Sequence, residues 1–151
     1  MNKEVLLPSE TVSFVLLGRD TETKCPLFAA RVPAGFPSPA EEHIEERISL
    51  SSYLNGHPDA TFYVRLEGDS MIDYNLLEGD LLVVDRSLHV RSGDIVLANV
   101  NSEYTVKKLE ITETGVRLLP GNKKYNPVEI TEDLEFLVWG VVRGVARRIR
   151  Q

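Results

Sequence analysis

The sequence predicts a mostly β fold, with a single β-rich domain behind an N-terminal arm. From Thr61 onward, apolar and polar residues alternate, or run apolar for strand lengths, between turn residues. Residues 1–34 show no sustained helical period. With 151 residues, 42% of them hydrophobic, the chain can bury a core without disulfides.

The N-terminal segment, residues 1–34, alternates short apolar clusters with polar residues, and we expect an arm rather than a domain. Three prolines follow within residues 32–40. Proline disfavours α-helical geometry in itself and in the residue before it. The sequence therefore predicts an extended, accessible stretch where the arm ends.

Residues 35–60 form a predicted acidic linker, with four Glu and one Asp against one Arg. Within it, residues 41–53 predict one or two helical turns. Ser49 or Ser51 is a possible N-cap, and Gly56 or Pro58 a possible stop.

The remainder, residues 61–151, is the predicted β-rich domain. Asn101-Ser102 is a predicted hairpin turn and Thr114-Gly115 another, while Gly79 and Gly93 each precede an Asp and an apolar run. The strands are predicted near residues 61–67, 81–85, 94–100, 103–111, 115–119 and 134–145.

Composition excludes several classes of protein. The net charge of −6 opposes tight, sequence-independent binding to a phosphate backbone. A single cysteine, Cys25, cannot form an internal disulfide, and no signal segment or run of ~20 apolar residues is found, so we expect a cytoplasmic protein without a membrane anchor. His43, His57 and His89 have no zinc-ligand spacing with each other or with Cys25, so no metal or other cofactor is expected.

Two further segments can be interpreted either as solvated surface or as a binding site. Residues 121–124 hold a Gly and two Lys but lack the long glycine loop of a nucleotide site, and we predict a solvated turn. The purely basic end predicts either a solvated terminus or a docking patch for an acidic partner or nucleic acid. Its residues are Arg143, Arg147, Arg148 and Arg150.

The segment Gly68-Asp69-Ser70-Met71 places a hydroxyl in a tight turn directly after a predicted strand. A serine nucleophile needs a base, and no histidine is an attractive one. The alternative is a serine that only hydrogen-bonds its own turn. In such a turn the backbone N–H groups around Ser70 and Met71 are the natural donors to an oxyanion.

A lysine can supply the base. Strand alternation points Lys107 and Lys108 to opposite faces, and Thr105 shares the face of Lys107. The pattern leaves open which lysine is buried, or whether both are exposed on an edge strand. Burial lowers the pKa of a lysine from roughly 10.4 by up to several units and so favours its neutral form.

Six motifs, taken together and in order, resemble the UmuD-like members of the LexA family of self-cleaving Ser/Lys peptidases. The resemblance runs from about Arg31 to Gly144. The motifs are AGFPSPA at 34–40, HPDATFYV at 57–64, GDSMID at 68–73, GDLLVVD at 79–85, GDIV at 93–96 and TVKKL at 105–109.

The resemblance implies a β-clip peptidase domain with a flexible N-terminal arm, in which Ser70 is the nucleophile and Lys107 the general base. It implies that the protein cuts its own Ala34–Gly35 bond and releases the arm. Small residues on both sides let that bond enter a narrow cleft. The backbone N–H of Met71 is the expected oxyanion donor.

The resemblance also implies partners. A RecA filament on single-stranded DNA would stimulate the cut in the SOS response to DNA damage. The trimmed homodimer would then serve a UmuC-like Y-family polymerase in error-prone translesion synthesis, with no membrane and no direct sequence-specific DNA binding. The alternative is a LexA-like or phage-type repressor, which the lack of a helix-turn-helix pattern in residues 1–34 disfavours.

Overall fold

A computed structural model describes residues 23–29, 31–35 and 43–151 of the chain. The chain divides into two compact units, Met1–Ser51 and Ser52–Gln151. Most of the predicted arm, residues 1–22 and 30, lies outside the described residues, as does 36–42. In the part of the chain that is described, no helix is long and apolar enough to cross a membrane.

The first unit contains an antiparallel pair of strands, β1 (Cys25–Phe28) and β2 (Ile44–Ile48). The prediction of helical turns was wrong for residues 44–48, because pairing with the β1 strand overrides the weak local preference. The helix α1 (Leu50–Leu54) begins directly after Ser49, where the turns were predicted, and ends before Gly56. Strand β1 was missed because all four of its residues are exposed and no alternation marks it.

The second unit is built on a seven-stranded antiparallel sheet in the order β3-β4-β9-β5-β6-β7-β8. Two short 3₁₀ helices, Pro58–Ala60 and Ile72–Tyr74, flank β3 and its following turn. The strands are β3 (Thr61–Arg65), β4 (Leu81–Asp85), β5 (Ile95–Val100), β6 (Glu103–Thr112), β7 (Gly115–Leu119), β8 (Val128–Ile130) and β9 (Phe136–Ala146).

The mostly β fold is confirmed, and each of the six predicted strands is present with ends shifted by at most two residues. Only the three-residue β8 was missed in this unit, because so short a strand carries no period. Asn101 and Ser102 adopt φ of 49° and 67°, the left-handed pair that a two-residue hairpin turn requires. Gly79 and Gly93, at φ of 88° and 97°, are turn residues as predicted.

Both faces of the sheet bury apolar side chains. Leu97 on β5 lies opposite Val106 on β6, and both join a cluster that includes Met71. Val96 and Leu109 belong to a second cluster. Because the sheet is covered on both faces, β6 carries inward side chains at odd and even positions, which is why alternation alone left the orientation of its lysines open.

Candidate active site

The Ser70 turn follows β3, and residues on either side of Ser70 fix its conformation. Gly68 has φ of 80°, a left-handed conformation that favours glycine, and it turns the chain after the strand. Met71, 1% exposed, anchors the other side in the core. Ser70 itself is half-buried between these two points.

Lys107 on β6 lies beside this turn. Its Nζ is 3.1 Å from Ser70 Oγ, 2.8 Å from Thr105 Oγ1 and 3.1 Å from the carbonyl oxygen of Val106. Partial burial lowers the pKa of Lys107 below its ordinary value. None of the ion pairs among the described residues involves Lys107, so no carboxylate there stabilises its charged form.

Lys108 points to a different environment. Its Nζ lies 5.2 Å from the centre of the Tyr74 ring, a cation–π contact. Both lysines are half-buried, so the alternative of two exposed lysines on an edge strand was wrong. Thr105, which strand alternation puts on the face of Lys107, contacts the lysine Nζ, a role that the sequence pattern does not indicate.

The loop after β7 was predicted to be a solvated turn, and for its first two residues that prediction was wrong. Gly121 and Asn122 are buried. The Gly121 N–H donates to the Ser70 carbonyl at 2.6 Å, and Asn122 Nδ2 donates to the Asp69 carbonyl at 2.9 Å. Tyr125 donates its hydroxyl to Asp69 Oδ1 at 2.5 Å, a bond that raises the pKa of Tyr125. No sequence signal ties this loop to a turn some 50 residues earlier.

A groove of about 420 Å³ runs past Ser70 and Lys107. One side is the end of β3 and the chain that follows it, and the other is the start of β6, with Tyr104 and Thr105. Tyr104 is exposed and its ring meets Trp139 edge to face at 5.1 Å. The groove is open, so an extended chain segment can reach the serine from solvent.

The predicted cleavage residues, Ala34 and Gly35, lie in the first unit and are exposed. A Cβ added to Gly35 would meet no atom within 4 Å. His43, His57 and His89 are all exposed, and His57 Nδ1 lies 2.8 Å from Oδ2 of the buried Asp85. Across residues 23–29, 31–35 and 43–151, no three His, Cys, Asp or Glu side chains are grouped to hold a metal ion.

Two arginines of the basic end pair with buried aspartates, one just before β4 and one at its end. Arg147 binds both oxygens of Asp80, which is 1% exposed, and this bond lowers the pKa of Asp80. Arg143 lies 3.5 Å from Asp85. Burial alone would raise the pKa of Asp85, but hydrogen bonds from Ser87 and His57 outweigh it and lower the pKa to about 2. Half of the predicted basic patch therefore neutralises internal carboxylates.

Comparisons with known proteins point the same way as the geometry. A family model described as "Peptidase S24-like" matches residues 26–143. Protein SamA of Salmonella typhimurium is 43% identical over 129 residues, covering 85% of this chain and 89% of SamA. Protein MucA of Escherichia coli is 42% identical over 118 residues (78% and 80%), and protein ImpA of Shigella flexneri 40% over 132 residues (83% and 86%).

Proposed function

The chain belongs to the Peptidase S24-like, UmuD-like family of self-cleaving peptidases of the SOS response, and we propose that Ser70 and Lys107 are the dyad with which it cuts its own Ala34–Gly35 bond. The observation that carries the proposal is the 3.1 Å approach of Lys107 Nζ to Ser70 Oγ. A nucleophile within hydrogen-bond reach of its base is the arrangement that covalent catalysis requires.

The environment of Lys107 suits a general base. A lysine must lose its proton before it can accept one, and burial lowers its pKa in that direction. A neutral amine has two N–H donors and one lone pair. With its donors on Thr105 Oγ1 and the Val106 carbonyl, its lone pair faces the Ser70 hydroxyl. Thr105 thus orients the base.

The reaction proceeds in two steps. Lys107 takes the Ser70 proton while Oγ attacks the Ala34 carbonyl carbon, and the N–H groups of Ser70 and Met71 stabilise the oxyanion. The protonated Lys107 then gives its proton to the Gly35 nitrogen, which leaves as the new N-terminus. Water, with Lys107 again the base, hydrolyses the Ser70–Ala34 ester and frees the arm.

The tethered substrate explains why a shallow groove suffices. Effective concentration replaces affinity when the cleaved segment belongs to the same chain or to a dimer mate. The exposure of Ala34 and Gly35 and the absence of a side chain on Gly35 leave that bond free to enter a cleft.

We further propose, from the family, that a RecA filament stimulates the cut and that the trimmed homodimer serves a UmuC-like translesion polymerase. A LexA-like repressor, the alternative, fits less well, because the relatives matched over most of their own length are SamA, MucA and ImpA.

Variants of the dyad test the proposal directly. The purified protein, incubated at alkaline pH, should release a fragment whose new N-terminus is Gly35 by mass spectrometry. Ser70→Ala and Lys107→Ala should each abolish the cut while the protein stays folded, because each removes a reacting group at a half-buried position rather than a large core side chain.

Lys108→Ala is the matched control, since it removes the neighbouring lysine on the same strand and should cleave at a rate close to that of the unaltered protein. Loss of cleavage in Lys108→Ala with retention in Lys107→Ala would show that the base is misassigned. Cleavage by Ser70→Ala would eliminate the serine mechanism altogether.

A further inference from the structure

The backbone of the Ser70 turn is held by a distant segment, the Gly121–Tyr125 loop that follows β7. Two consecutive carbonyls of the turn accept hydrogen bonds from it: Ser70 O from the Gly121 N–H at 2.6 Å, and Asp69 O from Asn122 Nδ2 at 2.9 Å. Asn122 is only 8% exposed, so its amide is committed to this contact rather than to water.

Because peptide groups are planar, these contacts also fix the direction in which the Ser70 and Met71 N–H groups point. A trans peptide is planar, and its C=O and N–H point in opposite directions. The Asp69 carbonyl shares a plane with the Ser70 N–H, and the Ser70 carbonyl shares one with the Met71 N–H. Because both carbonyls face the loop, both N–H groups face away from it. No described residue accepts a hydrogen bond from either N–H.

We propose that the Gly121–Tyr125 loop aims the two oxyanion donors of the active site, and that Asn122 is the positioning residue on which this depends. The inference rests on the proposed function, because it assigns a role within the same reaction. Asn122 touches no reacting atom and acts through the Asp69–Ser70 peptide. Hydrogen bonds to the carbonyls also polarise the N–H donors of the same peptides and strengthen them.

The loop is built as a rigid support. Asn122 Oδ1 accepts from the Lys124 N–H at 3.0 Å, and the Asn122 carbonyl accepts from the Tyr125 N–H at 3.1 Å. The Gly121 carbonyl accepts from the Asp73 N–H at 2.8 Å, so the loop holds the turn on both sides of Ser70.

The fit at Gly121 leaves no room for a side chain. A Cβ there would lie 2.5 Å from the Tyr74 ring and 3.3 Å from the Met71 Cα. The loop backbone therefore approaches the turn as closely as a glycine allows, which fixes the distance between the donors of the loop and the carbonyls of the turn.

Two variants at one position provide the test. Asn122→Ala removes the whole amide. Asn122→Asp keeps the shape and the acceptor for the Lys124 N–H but replaces the donor to Asp69 O with an oxygen. Loss of an oxyanion donor lowers a rate by about 10²–10³. In these variants both donors remain, but the Asp69–Ser70 peptide is no longer held by Asn122. We therefore expect self-cleavage to be slower by about tenfold or more.

Lys123→Ala is the matched control, because Lys123 is an exposed residue of the same loop, and it should cleave at the rate of the unaltered protein. In Asn122→Ala the pH midpoint of cleavage should stay where it is, since Lys107 is untouched and no charge is added. In both Asn122 variants the thermal unfolding midpoint should stay above the assay temperature. A purely structural role would produce the opposite pattern, with lost stability and a rate that recovers on cooling.

Amide resonances give a readout that does not need cleavage. In ¹⁵N-labelled protein, the Ser70 and Met71 amide signals should move in both Asn122 variants and stay in Lys123→Ala. If the unaltered protein releases no Gly35 fragment, the proposed function fails, while the amide signals still test the orientation. The inference is overturned by a normal cleavage rate in both Asn122 variants, by a displaced pH midpoint in Asn122→Ala, by a loss due to unfolding, or by amide signals that do not move.

Discussion

Among single residues, Lys107 has the environment that matters most for the proposed chemistry. Its pKa is lowered by burial, and no carboxylate of the described residues forms an ion pair with it to oppose the shift. By contrast, Asp80 and Asp85 are fully buried yet keep lowered pKa values, because Arg147, Ser87 and His57 bind them. Burial therefore favours the neutral form only where no opposite charge or hydrogen-bond donor compensates it.

We accordingly expect unassisted self-cleavage to speed up as the pH rises above neutrality. The active form has a neutral Lys107, so the rate should rise through its lowered pKa and level off above it. A pH series of fragment release by gel densitometry measures this. A midpoint at about pH 6.5, the ordinary histidine value, would instead indicate that a histidine is the base.

Among the elements, β9 is the strand that shapes the sheet, because it lies between β4 and β5 and carries an unpaired extra residue against each. The extra residues are Arg143 opposite β4 and Trp139 opposite β5. Such bulges bend a strand and increase its twist. Gly140 lies next to the second bulge, where β4 approaches closely.

Replacing Gly140 with Ala should therefore destabilise the protein. The added Cβ would lie 2.7 Å from Val84 Cγ1 and 2.9 Å from the Asp85 carbonyl, and the backbone there has little room to move. Overpacking of this kind costs about 1–3 kcal/mol, which urea unfolding can measure.

Gly144→Ala on the same strand is the control for this measurement. Its Cβ would meet the flexible Leu54 Cδ2 at 3.0 Å, so the effect should be small. Equal loss of stability in the two variants would contradict the argument that the rigidity of the neighbouring atoms decides the outcome.

For the whole molecule, both apolar clusters and the proposed dyad lie in the second unit. Within the described residues, the side chains of both clusters therefore come from the second unit alone. Apolar residues of the arm, among them Val5, Leu6, Phe14 and Leu17, would not remain in water. We expect the arm to cover a partner surface in the intact protein, a prediction that lies outside the described residues.

A protein that begins at Gly35 should consequently stay folded, with a thermal unfolding midpoint near that of full-length Ser70→Ala. It should bind a UmuC-like polymerase more tightly than Ser70→Ala does, because the covering arm is gone. Calorimetric titration of both forms tests the idea, and equal affinities would refute a masking role for the arm even if the peptidase proposal holds.

The sequence by itself determined the features that depend on local conformational preference. Strand periodicity located the main strands, left-handed turn residues such as Gly79 and Asn101 marked their ends, and the period of two put Thr105 on the face of Lys107. Six motifs in the sequence are enough to indicate the family.

Only the tertiary structure decided the contacts between residues far apart in sequence. It brings Lys107 rather than Lys108 beside Ser70, pairs Arg147 with Asp80, and sets Asn122 behind the Asp69 carbonyl. The strand β2 forms because β1 pairs with it, against the local expectation of helix. These outcomes depend on packing and on the satisfaction of buried polar groups, whose partners no local pattern specifies.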